Sequence, residues 1–199
     1  MYVGNIFGIN RRNLLFSTLV MPFIMNEDSE KLILSQENNK IFFYGSLNDE
    51  SCFKLNFLLQ DMIEKNDEVN LYLQTTGGSV LPTLPIVDLI KNSPVPINTY
   101  IKGYCASAGT LLSVVGKKRY MTNNSLVLIH SLRQEGMGGN FNNIKDQYEN
   151  ANTIMDIIKK IYLENTNLPE SLLYYYLDHD LWLPSGICLK YGIVDKIVN

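Results

Sequence analysis

Histidine and cysteine are scarce in this chain. Two histidines, His130 and His179, and three cysteines, Cys52, Cys105 and Cys188, occur among 199 residues. An odd, widely spaced set of cysteines argues against a disulfide framework and a four-ligand zinc site, and it suits a reducing compartment. Two histidines do not furnish a histidine-rich metal centre. An excess of one charge is also lacking: 17 basic and 20 acidic residues leave a net charge of −3, so nothing advertises a nucleic acid as partner. There is no internal repeat, no low-complexity tract and no apolar run of the roughly 20 residues that a membrane-spanning helix needs. What is present is an ordinary globular balance, 46% apolar and 19% charged, in a chain long enough for one substantial core.

Residues 1–39 read as an N-terminal arm. Its apolar run, residues 14–25, follows Arg11 and Arg12 and is interrupted by Pro22. The run is like a signal-peptide hydrophobic region, but Asn26-Glu27-Asp28 follows in place of a small-x-small cleavage site. No acidic residue precedes Glu27, which keeps an organelle targeting segment open, with a membrane anchor as a third reading. The plainest expectation is an arm, or axial loop, that packs on a neighbouring subunit.

Residues 40–199 alternate strand and helix signals without a linker. Strands are expected at 41–44, 69–74, 97–101, 120–121 and 125–129, and again where Ile193-Val194 and Ile197-Val198 close the chain. Helices are expected at 49–65, 81–91, from the small residues around Ser107 to Val115, at 141–165, and after Pro169. Such alternation implies an α/β fold with a mainly parallel sheet covered by helices.

Three segments carry candidate chemistry. Gly103-Tyr104-Cys105-Ala106-Ser107-Ala108-Gly109 joins a strand to a helix, and its small residues would let a carbonyl approach Ser107. That is the logic of a nucleophile elbow without its usual spelling, and close packing explains the same residues. Gly77-Gly78-Ser79 ends a buried strand, where bare N–H groups can face an anion; an ordinary turn reads the same. His130 ends an apolar strand, placed to act as a base or to serve structure alone. His179 lies between Asp178 and Asp180, a solvated turn or an imidazole-orienting pair. Gly116-Lys117-Lys118 fails as a phosphate loop, because position 111 is leucine and no Ser or Thr follows the lysine.

The joint order of Gly-Gly, Ser, His and Asp resembles the proteolytic subunit of the Clp protease. The family's oxyanion loop matches Thr76-Gly77-Gly78-Ser79, and its nucleophile motif matches Cys105-Ala106-Ser107-Ala108-Gly109. Further matches are Gly116-Lys117-Lys118-Arg119, Asn124-Ser125, Leu128-Ile129-His130, His179-Asp180 and Tyr191-Gly192-Ile193-Val194-Asp195. The resemblance implies Ser107 as nucleophile, His130 as general base and acid, and Asp180 as the orienting carboxylate. It implies an oxyanion hole from the N–H groups of Gly78 and Ala108, and a substrate-binding strand at Met137, Gly138 and Gly139. The fold would be a crotonase-like α/β spiral with a handle at about 136–165.

By the same resemblance, seven-membered rings stack as a tetradecamer around a chamber that receives unfolded polypeptides. No cofactor or metal is expected in this chain; ATP would be used by a separate AAA+ unfoldase, with Tyr72 in its docking pocket. Cytoplasm, plastid and mitochondrial matrix all suit such a subunit, with no membrane expected. Four departures stand out: Ala108 replaces a usual methionine, Thr75-Thr76 a Ser-Pro, Ser131-Leu132 a Gln-Pro, and His179 an arginine that helps pair rings. Rival readings are a catalytically silent subunit of a mixed ring, a crotonase-type acyl-CoA enzyme and a Ser-Lys peptidase.

Overall fold

A computed structural model describes residues 32–133, 136 and 138–199. The chain order is β1 (Ile33–Glu37), β2 (Lys40–Tyr44), α1 (Asp49–Lys65), β3 (Val69–Thr75), α2 (Val80–Asn92), β4 (Ile97–Ala106) and α3 (Ala108–Val114). It continues through β5 (Arg119–Thr122), β6 (Leu126–Leu128), α4 (Phe141–Asn165), α5 (Glu170–Leu177), β7 (Trp182–Pro184), α6 (Ser185–Lys190) and β8 (Lys196–Val198). The eight strands form one sheet in the order β1-β2-β3-β4-β5-β8, with β6 added to β4 and β7 to β6. All pairings from β2 to β8 along that path are parallel; β1 on β2 and β7 on β6 are antiparallel.

Strand alternation separates two faces. Ile41, Phe43, Leu71, Leu73, Ile97 and Ile101 are fully buried on one face, in a single core with Leu55 and Leu59 of α1 and Ile86 of α2. On the other face Phe42, Tyr72, Tyr100 and Tyr120 stand opposite one another in register. Their rings stack at centroid separations of 4.9, 4.5 and 4.5 Å. Each remains half-buried.

Helix ends follow their side chains. Asn48 and Ser51 form a capping box at the start of α1, each side chain accepting the other's backbone N–H at 2.9 Å. Asn140 and Asn143 do the same for α4. Along its 25 residues α4 buries only Ile158 and Tyr162, while Phe141, Ile144 and Tyr148 stay exposed.

The sequence-based helices at 49–65 and 141–165 coincide with α1 and α4. Two strands differ. β1 lies within the stretch read as an arm, because Asn38 takes a positive φ of 53° and folds residues 33–37 back onto β2. β4 runs five residues past its expected end, because it changes partner: Thr99 to Ile101 pair with β5, and Tyr104 to Ala106 with β6. Buried Ser125 bridges that change, its hydroxyl donating to the Ile101 carbonyl at 3.2 Å and accepting from Gly103 N–H at 2.9 Å. Ile193 and Val194 are buried but belong to no strand.

Two outcomes are expected. Phe43 is fully buried at the centre of the core, so Phe43→Ala should cost about 3–5 kcal/mol in a denaturant titration. The β5–β8 edge is tied by Arg119, whose guanidinium forks onto Asp195 and whose N–H donates to it at 2.8 Å. Burial alone would raise the Asp195 carboxyl, but those bonds from Arg119 outweigh it and leave the group below its ordinary value. A carboxyl depressed on folding stabilises above its unfolded pKa and loses that contribution as the pH falls through the folded one. The Tm deficit of Asp195→Asn should therefore be largest above about pH 5 and shrink below about pH 4. Parallel melting curves for the two proteins across that range would refute this.

Candidate active site

The parallel strands β3 and β4 end side by side, after a register shift that leaves Thr75 opposite Cys105. The two loops that follow are packed without room for extra atoms. A Cβ on Gly77 would lie 2.6 Å from Ser107 Cβ and 2.7 Å from the Ala106 carbonyl oxygen. On Gly78 it would lie 2.0 Å from the Leu47 oxygen, and φ is 142°. Leu47 N–H donates to Gly77 O, and Ser79 N–H donates to Leu47 O, both at 2.8 Å. That bridge uses the groups on either side of Gly78, so the N–H of Gly78 itself faces away from Leu47.

Ser107 occupies the turn between β4 and α3 with φ 54° and ψ −131°. For a residue with a Cβ this is a sparsely populated conformation, worth about 1–3 kcal/mol of strain. Its N–H donates to Leu128 O at 2.9 Å, and its carbonyl accepts from Thr110 N–H at 2.9 Å and Thr110 Oγ1 at 2.6 Å. Ala108 opens α3, and a first-turn N–H has no acceptor inside its own helix.

His130 follows β6, whose pairing with the end of β4 carries it alongside Ser107. Gly78, Ser107, Ala108 and His130 line one cavity of about 440 Å³, walled in part by Leu111 and Tyr162. Imidazole Nδ1 lies 2.6 Å from the Ser131 carbonyl oxygen. A carbonyl only accepts, so the proton is on Nδ1, and in the neutral imidazole Nε2 is the bare acceptor. No hydrogen bond joins Ser107 and His130 among the described residues.

Asp180 does not line this cavity. It lies between α5 and β7, with its carboxylate 2.5 Å from an Arg133 guanidinium nitrogen, and both side chains are largely exposed. Arg133, three residues beyond His130, takes the carboxylate that the resemblance assigns to the imidazole. A pair so exposed is worth under about 1 kcal/mol, so it is easily parted. His179 Nδ1 lies 2.7 Å from the Tyr175 carbonyl.

Met137 lies outside the described residues. Gly138 and Gly139 belong to no strand. The carboxamide of Gln147 occupies both backbone groups of Gly138, donating to its carbonyl at 2.9 Å and accepting its N–H at 3.3 Å. A peptide strand paired at Gly138 would need those same groups, which Gln147 occupies.

Sequence reasoning passed over Thr110 and Tyr162, fully buried side chains hydrogen-bonded to each other behind Ser107. The spacing of Thr110, three residues after Ser107 in a helix opening, was the available signal; the partnership with Tyr162 spans 52 residues. Cys105, beside the turn, is no rival nucleophile. Burial pushes its thiol up to about 12, far from the thiolate state that reactivity requires.

Residues 27–199 match the family model described as Clp protease. The chain is 28% identical over 144 residues to the ATP-dependent Clp protease proteolytic subunit of Deinococcus radiodurans, covering 71% of this chain and 70% of that protein. It is 30% identical over 167 residues to the ATP-dependent Clp protease proteolytic subunit 1 of Mycobacterium tuberculosis strain H37Rv, covering 81% and 83%. With the whole described chain inside that match, and the glycine, serine and histidine segments gathered at one cavity, the chain belongs to the Clp protease family.

Proposed function

We propose that this chain is a serine endopeptidase subunit that hydrolyses peptide bonds of unfolded proteins within a ring-shaped Clp protease. The observation that carries the reading is the convergence of the strained Ser107 turn, the bare Nε2 of His130 and the outward N–H of Gly78 at one cavity. Ser107 Oγ attacks the substrate carbonyl as His130 Nε2 takes its proton. The resulting oxyanion is held by the N–H groups of Gly78 and Ala108. His130 then protonates the leaving amine, and the same groups direct water onto the acyl-enzyme.

Asp180 completes the set once it leaves Arg133 for the imidazole. In the form described here the Ser131 carbonyl holds the Nδ1 proton instead, which sets the same tautomer without the charge that stabilises an imidazolium. This supports a resting subunit whose last element is aligned by assembly. It also supports, more weakly, the second reading of a silent subunit in a mixed ring. A Ser-Lys arrangement has no support, as no lysine lines the cavity among the described residues.

The wider assembly follows the family reading. The architecture is a crotonase-like spiral with α4 as the handle, and the exposed Phe141, Ile144 and Tyr148 suit a contact between facing rings. Heptameric rings would stack as a tetradecamer, and an AAA+ unfoldase would use ATP and deliver substrate. Tyr72 suits docking, since it lies in the half-buried aromatic row with Lys102 Nζ 4.9 Å from its ring centre. No helix of the described residues is long and apolar enough to cross a membrane; cytoplasm or an organelle interior is the proposed location.

Fluorophosphonate treatment of the full chain, mapped by mass spectrometry, should modify Ser107 and leave Ser107→Ala unmodified. No modification of the assembled ring, with or without unfoldase, would refute the peptidase reading in favour of the silent subunit. Arg133→Ala should accelerate labelling about two- to fivefold, the worth of an exposed ion pair, whereas Asp180→Asn should slow it. Equal rates for Asp180→Asn and wild type would place Asp180 outside the chemistry.

A further inference from the structure

The oxyanion donor proposed at Ala108 shares a peptide unit with the Ser107 carbonyl. A trans peptide is planar, with its N–H and C=O pointing to opposite sides. Whatever fixes the Ser107 carbonyl therefore aims the Ala108 N–H. That carbonyl accepts the Thr110 hydroxyl at 2.6 Å as well as the Thr110 N–H at 2.9 Å. Because the single Thr110 hydroxyl proton is committed there, its contact with Tyr162 has one possible sense: Tyr162 Oη–H donates to Thr110 Oγ1. The relay thus runs from Tyr162 through Thr110 to the carbonyl of Ser107.

We infer that Thr110 and Tyr162 are positioning residues that hold the Ser107–Ala108 peptide with its N–H turned into the cavity. Three observations carry this beyond ordinary packing. Thr110 is fully buried and Tyr162 is 1% exposed, so no solvent can replace a lost bond. Tyr162 is anchored in α4, whose body meets α3 here, so the relay ties the turn to a separate element. Ser107 is also strained as it stands, at φ 54° and ψ −131°. A half-turn of the peptide would bring Ser107 toward the ordinary left-handed region, while taking Ala108 out of helical φ. It would also put the carbonyl oxygen where the oxyanion has to sit. The hydroxyl relay weights that balance toward the competent orientation.

The inference rests on the peptidase reading, and one set of full-length variants separates the two. The rate of fluorophosphonate labelling at Ser107 and the steady-state hydrolysis of a short fluorogenic peptide would be measured for wild type, Thr110→Val, Thr110→Ser and Tyr162→Phe, each with a melting curve. Thr110→Val keeps the shape and removes the hydroxyl. It should lower kcat and the labelling rate about 10- to 100-fold with KM unchanged, less than the loss of an oxyanion donor outright. Thr110→Ser restores the donor and should fall within about twofold of wild type, and Tyr162→Phe should lose about three- to tenfold, since one neutral bond in the relay is removed. If Thr110→Val melts early, Tyr162→Phe, which leaves the cavity wall in place, decides the matter. Wild-type rates in Thr110→Val and Tyr162→Phe would overturn the inference. So would an equal loss in Thr110→Ser and Thr110→Val, or a loss confined to KM. Absence of Ser107 labelling in the assembled wild type, with and without unfoldase, would overturn the peptidase reading, and this inference with it.

Discussion

The close approach of Gly77 to the Ser107 turn is the constraint around which the site is arranged. Two parallel strands end beside each other, and their loops touch so closely that even one methyl group on Gly77 would overlap Ser107. The contact forces a glycine in one loop and small residues in the other. It also presents the backbone rather than side chains to the cavity, which is what a charge developing on a substrate carbonyl requires. The register shift between Leu73 and Thr75 brings the two loops level. Beyond it, the bridge from Leu47 to Gly77 and Ser79 turns the Gly78 N–H to the open side.

The rest of the fold supports that junction unevenly. The helix-covered face of the sheet is a continuous apolar core, so the ends of β3 and β4 rest on a rigid base. The other face carries the row of Phe42, Tyr72, Tyr100 and Tyr120. Apolar side chains also stand in solvent along α1 at Phe53 and Phe57, and along α4 at Phe141 and Tyr148. A chain that spends large apolar side chains in this way has surfaces suited to partners, which agrees with the ring proposed above. Arg133 at the cavity wall is paired with Asp180, outside the cavity, through an exposed contact worth under about 1 kcal/mol.

Much of the fold was legible because its signals are local. The periodicity of α1 and α4, the apolar runs of β2 and β3, and the strand-helix alternation that implies a parallel sheet all depend on residues near one another in the chain. β1 was not legible, since a polar stretch such as Ser35-Gln36-Glu37 becomes a strand only by pairing with β2. The far half of β4 was hidden for a similar reason: Gly103 and Tyr104 hold strand geometry through Ser125 and β6. Gly138, read with Gly139 as part of a substrate strand by resemblance, is held by Gln147, nine residues away.

The sequence by itself determined which residue types stand at the ends of the strands. Small side chains at 106–109 and paired glycines at 77 and 78 meet a steric need, because the two loops leave no room for larger groups, and a histidine follows a strand end at 130. Only the tertiary structure decided how those residues are aimed. The partner of Asp180 is Arg133, 47 residues away, and Thr110 behind the Ser107 turn is bonded to a tyrosine of α4 that lies 52 residues on. Orientation of this kind follows from hydrogen bonds between groups far apart in the chain, and spacing along a sequence carries no record of direction in space.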